Sequence, residues 1–367
     1  MQFTTTRTNL LAALRRADIA VDPRSDKPYA RNVLLEAQTG DKVRIYATSS
    51  LLWIDTLAID AKIAAKGAIV VNCERLLSVV SALTEEEIKV TVDAELGVTI
   101  KSGKRRFKLT GLAADAFPSL QESKSPKNYL LDTESFLRAV KRVRFCMDPN
   151  RVSCDGALLE FLGGKKMRLV TLMGRAMASA EADLVKEADA GMFFLPRAVL
   201  GAVDALCKGQ TTLRMRFDQT YATLETDETL FTCVLPAERF PEAVIHMMRQ
   251  KLTNALDARM LGEQLSRAVT AVCAAFEASA ASPWPKLALS VGDGVLRVSL
   301  ADSPNQAEDE LAVDTTGKFE VRLEPKLLTE ALRDVGDEEV GIGFEAELEM
   351  VLITAPRYHA GVMRLSR

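Results

Sequence analysis

Between residues 34 and 45 the chain reads LLEAQTGDKVRI: apolar alternation, a polar turn around Gly40, and a strand resuming at Val43, the pattern of a β-hairpin. The pattern returns at 158 to 169 as LLEFLGGKKMRL, so that Leu34, Leu35, Glu36, Gly40 and Arg44 are matched by Leu158, Leu159, Glu160, Gly164 and Arg168, each 124 residues further on. A fainter third copy, KLALSVGDGVLRVSL at 286 to 300, has Arg297 where the others have Arg44 and Arg168. Helical periods repeat as well. CERLLSVVSAL (73 to 83) and PRAVLGAVDAL (196 to 206) set Leu77, Val80 and Leu83 against Leu200, Val203 and Leu206 at an offset of 123, each entered from a strand, AIVV or MFFL. EPKLLTEALRDV follows the strand FEVRL in the same way. Strand, turn and Phe-Pro close the first two copies, RRFKLTGLAADAFPSL and LFTCVLPAERFPEA, with Pro118 and Pro241 again 123 apart.

Each copy also opens with an amphipathic helix: RTNLLAALRRA near 7 to 17, TESFLRAVKRVRF at 133 to 145 and ARMLGEQLSRAVTAV at 258 to 272. Asp132 and Asp257 stand just ahead of the last two, where a short acidic side chain caps the free N–H groups of a first turn. The recurring order is strand, helix, strands, helix, strands. It predicts an α+β fold of three similar domains, 1–124, 125–249 and 250–367, each with two helices packed on antiparallel sheet. The joints fall in the polar QESKSPKN (121 to 128) and in HMMRQKLTN (246 to 254). A period this long is a domain length, because solenoid repeats run to roughly 20 to 50 residues. Like domains joined edge to edge by one repeated heterologous contact form an arc that can close into a ring.

Composition adds bounds. A chain of 367 residues, 48% apolar and 26% charged, is long enough for two or three cores. MQFTTTRTNLL lacks the basic-then-apolar order of a secretion signal, and AVTAVCAAF (268 to 276) is too short to cross a bilayer, so no membrane association is expected. Cysteines at 73, 146, 154, 207, 233 and 273 form no CxxC pair, which reads as reduced thiols in a cytoplasm. The net charge of −3 means that any polyanion must be held by locally concentrated cations.

One helix concentrates them. In TESFLRAVKRVRF, Phe136, Val140 and Val143 form the apolar stripe, while Arg138, Lys141 and Arg142 are expected together on another face with Arg144 at its border. The first helix carries Arg7, Arg15 and Arg16; Arg75 and Arg197 open the later helices of the first two copies. In the third copy Arg259 and Arg267 are offset by Asp257 and Glu263. The bland reading of any one of these cations is a solvated helix face. KRR at 104 to 106 reads as edge-strand charge that discourages unwanted pairing.

Catalytic signatures are missing. His246 and His359 lie 113 residues apart without Cys or acidic neighbours at metal-ligand spacing. Gly163-Gly164-Lys165-Lys166 lacks the GxxxxGK[ST] pattern, VGDGVL opens no helix, and Asp302, Glu308, Asp309 and Glu310 lack the spacing of a calcium loop. No GxSxG elbow occurs. Neither a cofactor nor a reaction is expected.

Along nearly its whole length the chain resembles the β sliding clamps of bacterial DNA polymerase III. The resemblance rests on KRRFKLTGLAADAFPSL, the ERFPE turn, ADSPNQAEDELAV at 301 to 313, the opening MQFTTTRTNLL and VMRL at 362 to 365. It implies a homodimeric ring around duplex DNA, with helices lining the hole and sheet outside. The ring would tether the polymerase catalytic subunit, the clamp loader and repair proteins through short peptide motifs, without catalysis of its own. It further implies DNA contact at Arg24 in the loop after the first helix. It places the dimer joint at Phe107 and Leu109 against Val269 and Val272. A peptide groove is implied at Leu172, Gly174, Arg175, Met177, Pro241, Val362, Met363, Arg364 and Leu365, an apolar slot with a basic rim. The family usually has a His-Arg pair after the glycine. This chain has Arg175 and Ala176, and adds Ser366 and Arg367 beyond the usual end, departures that leave the peptide preference open and leave room for a specialised paralogue. Contacts to phosphate without base reading suit such sliding. The alternatives from the residues alone are an open DNA-binding scaffold of the same repeats, or a hydrolase assembled from distant residues.

Overall fold

The computed structural model describes residues 1–38, 40–49, 51–119, 127–207, 209–241, 243–245, 257–278, 284–301 and 305–365. Residues 121–126 and 246–254 of the expected joints lie outside the described residues, as do His246, Asp302, Ser366 and Arg367. Lys127 and Asn128 already belong to the strand Lys127–Asp132.

The α-helices α1 (Arg7–Asp18), α2 (Cys73–Ala82), α3 (Thr133–Val143), α4 (Arg197–Leu206), α5 (Gly262–Ala274) and α6 (Pro325–Leu332) alternate with antiparallel strands. The fold is α+β. The three hairpins stand where the periodicity put them, turning through left-handed positions at Gly40, Gly163–Gly164 and Asp293–Gly294.

The first three helices start on the last residue of a strand, and that residue caps them. Thr6 Oγ1 accepts from Asn9 N at 3.1 Å, Asn72 Oδ1 from Arg75 N at 3.0 Å and Asp132 Oδ1 from Ser135 N at 2.8 Å. Asp257 does not do the same. The strand Ala258–Leu261 runs on in register with Glu339–Ile342 and delays α5 to Gly262; Gln264 Oε1 reaches back to Leu261 N instead. The Asp257 carboxylate accepts from Phe344 N at 3.0 Å.

The chain forms two compact units, Met1–Leu130 with Gly201–Leu235, and Leu131–Leu200 with Pro236–Arg367. In the first, one sheet runs Lys62–Ala65, Gln2–Thr6, Glu87–Val92, Gly97–Ser102, Arg105–Leu112. A second runs Gly67–Asn72, Asn32–Ala37, Lys42–Thr48, Leu52–Asp55, Leu230–Val234, Tyr221–Glu225, Thr212–Phe217. Gly111 and Leu112 pair with Val71 and Val70, so one strand serves both sheets. A Cβ at Gly111 would lie 2.8 Å from the Ile69 side chain, which is why glycine stands at the crossing. Leu10, Leu14, Leu35, Ile45, Leu76 and Val80 are buried between sheet and helices.

In the second unit a sheet runs Gly191–Pro196, Gly156–Phe161, Gly164–Met173, Ala176–Ala188, Tyr358–Met363, Met350–Ala355, Glu339–Glu345, Ala258–Leu261. A separate four-stranded sheet has the order Glu308–Ala312, Val295–Ala301, Lys286–Gly292, Phe319–Leu323. The two units contain one joint each, of the same kind. The strand after the hairpin pairs with the closing strand of the next repeat: Leu52–Asp55 with Leu230–Cys233, and Ala176–Ala180 with Tyr358–Val362.

Candidate functional site

The caps fix where the basic helices begin and therefore which cations reach solvent. Arg15, Arg24, Arg75, Arg138, Lys141 and Arg144 are exposed. Among the described residues no ion pair engages Arg15, Arg24, Arg75 or Lys141, while Arg138 makes an exposed i,i+4 pair with Glu134 at 2.9 Å. Such a pair is worth about 0.3–0.5 kcal/mol, so a phosphate can displace it. Three other expected cations are half-buried and committed. Arg7 Nη2 donates to Ser81 O at 3.0 Å, Arg16 pairs with Glu228 at 2.8 Å, and Arg197 donates to Asp155 Oδ1 and Met147 O, each at 2.5 Å.

Arg142 requires a correction. It is 6% exposed and lies with the buried side of α3, beside Ala139 and Val143, not with Arg138 and Lys141. Its Nε donates to Asp334 O at 3.2 Å, Nη1 to Pro356 O at 3.0 Å and Nη2 to Glu338 Oε1 at 2.5 Å, with the guanidinium 5.7 Å from the Tyr358 ring centroid. A buried guanidinium is tolerable only with its donors satisfied, and carbonyls from two distant segments satisfy it. Arg142 therefore binds helix α3 to the third repeat and is unavailable to a polyanion.

The residues expected in the groove divide between a buried cluster and the surface. Leu158, Val170, Met177, Phe194, Phe240, Met350 and Leu352 pack into a buried cluster, with Leu172 and Met363 half-buried against it. Beside Met363 a depression of about 900 Å³ is lined by Arg175, Trp284, Lys286, Glu349, Met363, Arg364 and Leu365. Gly174 and Arg175 form the exposed turn between two strands, tied down by Met363 N donating to Arg175 O at 2.8 Å. Arg175 lies 3.6 Å from Glu324, and Arg364 pairs with Glu349. Pro241 is half-buried.

Val362 and Met177 are corrected: at 0% and 3% exposure they cannot meet a ligand at the surface. Val362 faces Ala176 on one side and Val351 on the other, and Met177 belongs to the cluster beneath. Trp284, 66% exposed, Lys286 and Glu349 were not anticipated. Periodicity is silent about them; the only sign was a large aromatic residue in the polar context ASPWPK.

Val269 and Val272 are corrected too. Leu265, Ala268, Val269 and Val272 form the i, i+3, i+4, i+7 stripe that α5 buries, leaving both valines at 0–2% exposure and Arg267, Thr270, Ala271 and Ala274 outside. Phe107 and Leu109 are half-buried on Arg105–Leu112. Among the described residues, Arg105–Thr110 has Gly97–Ser102 as its strand partner on one side and none on the other. Glu308–Ala312 is likewise an edge strand, paired only with Val295–Ser299. One edge carries Arg105, Arg106 and Lys108, the other Glu308, Asp309 and Glu310.

His359 stands on the strand that joins the second repeat to the third, opposite Ser179 and Thr354. Burial, and then the nearby Arg168 charge, hold its pKa below the usual histidine value. Burial likewise pushes the Cys207 and Cys233 thiols up to about 12, so neither is a ready nucleophile. No helix among the described residues is long and apolar enough to cross a membrane.

Comparison with known proteins places this geometry. The family model described as "DNA polymerase III beta subunit, N-terminal domain" matches residues 1–121. The chain is similar to the beta sliding clamp of Pseudomonas aeruginosa, 26% identical over 349 residues that cover 93% of this chain and 92% of that protein. It is 27% identical to that of Pseudomonas putida over 351 residues, with 93% and 92% covered. The crystal structure of the DNA polymerase III subunit beta from P. aeruginosa superposes with a TM-score of 0.88 at 23% identity, over 100% of both chains. That from Thermotoga maritima gives 0.87 at 20%, over 100% of this chain and 99% of the other. At those identities the structures speak for the fold.

Proposed function

Because the chain belongs to the DNA polymerase III beta-subunit family, as a divergent member, we propose that it works as a sliding clamp. Two copies close head to tail around duplex DNA and tether a polymerase and other partners. The observation that carries this is the repeated joint. In each of the two internal joints the strand after a hairpin receives the closing strand of the following repeat. By the same rule Glu308–Ala312 of the third repeat needs a closing strand, and among the described residues the closing strand left over is Arg105–Leu112 of the first. A second copy supplies it. The contact is heterologous and closes after two chains, giving six repeats, three domains (1–124, 125–249, 250–367) from each copy.

The chemistry of the two edges supports the pairing. Arg105, Arg106 and Lys108 would meet Glu308, Asp309 and Glu310, with Phe107 and Leu109 turned toward the exposed Thr270 and Ala271 of α5. The exposed cations of α1, α2 and α3 would line the hole, holding phosphates weakly and without reading sequence. Short peptides from the polymerase, loader and repair proteins would enter the slot beside Met363, where tethering converts repeated rebinding into a high effective concentration. The chain itself would perform no reaction.

The experiment is topological. Protein loaded on closed circular DNA should stay bound through a high-salt wash and leave when the circle is cut once. Release from intact circles at the same rate would replace the ring with an open scaffold.

A further inference from the structure

The hairpin, its following strand and the Phe-Pro turn occur twice, and the first copy encloses a pocket of its own. At the 124-residue offset Leu34 stands for Leu158, Glu36 for Glu160, Tyr46 for Val170 and Trp53 for Met177, with Pro118 for Pro241 one residue out of step. In the second repeat these positions fill with methionine and leucine from neighbouring strands. In the first they leave a cavity of about 170 Å³ walled by Leu34, Tyr46, Trp53, Ile54, Phe117 and Pro118. An apolar cavity of roughly 150 Å³ is enough to hold a benzene ring, so the space takes one aromatic or branched side chain.

Its polar groups differ from those of the slot beside Met363. That slot has Arg175, Lys286 and Arg364 against the one carboxylate Glu349 on its rim, whereas no Lys or Arg lines the first-repeat pocket, and its charged residues are Glu36 and Asp55. Asp55 is neutralised by Arg44. Glu36 accepts from two neutral donors, Gln38 Nε2 at 2.7 Å and the Tyr46 hydroxyl at 3.1 Å, while Arg44, opposite it on the paired strand, is committed to Asp55. The Trp53 indole N–H is buried and, among the described residues, has no acceptor. Leu51, at the position equivalent to Arg175, is 65% exposed.

We infer that this pocket is a second peptide-docking site, for an extended segment that places one bulky apolar side chain between Trp53 and Phe117 and a Lys or Arg beside Glu36. The occupant is opposite in charge to one suited to the cation-rimmed slot, so the two sites sort partners. The inference stands on the first unit alone and does not need the slot beside Met363 to bind anything.

The two tryptophans of the chain, Trp53 and Trp284, each lie at one site, which gives separate reporters. In full-length Trp284→Phe protein only Trp53 emits. Titration with acetyl-Leu-Phe-Lys-Lys-amide should give a saturable change in that emission, and acetyl-Leu-Phe-Glu-Glu-amide should give little. Glu36→Gln should weaken the basic peptide about tenfold, the loss of one charge-assisted contact. Phe117→Ala, in a half-buried loop position, should also weaken the basic peptide, with an unchanged melting curve certifying the fold. No saturable change, an equal response to both peptides, or indifference to Glu36→Gln would each overturn the proposal. The same titrations in Trp53→Phe protein report on Trp284 only, so each site is tested by its own signal and failure at one does not count against the other.

Discussion

Arg138 and Lys141 can be separated experimentally from Arg142, although all three lie within five residues of one helix. Replacing Arg138 and Lys141 by Ala removes two exposed cations per chain, four per two-chain ring. If each holds one phosphate, the slope of log K against log salt becomes shallower by about 3.6, taking 0.9 per phosphate; over a fourfold rise in salt, wild type then loses about 150-fold more affinity than the variant. Anisotropy of a labelled linear duplex across a salt series measures both slopes. Arg142→Ala is the contrasting case. It strands two carbonyls and the Glu338 carboxylate, at a cost of about 2–4 kcal/mol discounted for the partial exposure of Glu338, and should lower the melting temperature with the salt slope unchanged. Equal slopes for wild type and the double variant would refute the assignment of that face to DNA. So would a slope change from Arg142→Ala.

At the slot, Met363→Glu should reduce binding of an acidic, apolar peptide at least about tenfold without changing the solution mass, since Met363 borders the depression and lies on neither edge strand; unaltered affinity in a fluorescence titration would move the slot elsewhere. At the joint, Arg106→Glu should raise the monomer fraction in sedimentation, and adding Glu308→Lys should restore the dimer, whereas failure of the pair to rescue would argue for a different register. His359 has a depressed pKa in the folded chain, so the unfolded chain binds more protons as pH falls below about 6.5, and stability should decline there. His359→Gln should flatten that part of the stability profile, and an identical profile in the variant would exclude His359 as the source.

Much of the fold was legible because it is written in local periods. Hairpin alternation with a glycine turn, and Leu77, Val80 and Leu83 against Leu200, Val203 and Leu206, need no knowledge of distant neighbours. Arg142 shows where that ends: its partners lie 192 to 214 residues away, and no pattern within TESFLRAVKRVRF records them. Val269 and Val272 show the reverse. Their own stripe with Leu265 marks them as core, and the resemblance-based placement at an interface conflicted with that local pattern. Asp257 sits ahead of a helix pattern, but four more residues of strand intervene because Ala258–Leu261 finds a partner strand. Trp284 has neither period nor repeat to betray it.

The helix junctions at Thr6, Asn72 and Asp132 have no spare residue between strand and cap. One amino acid inserted at any of them would turn the helix that follows by about 100°, at 3.6 residues per turn, and carry Arg15, Arg75 or Arg138 off the exposed face it now occupies. Added length is therefore better tolerated at hairpin tips and inter-repeat connections, while these three boundaries set which way the cations of α1, α2 and α3 face.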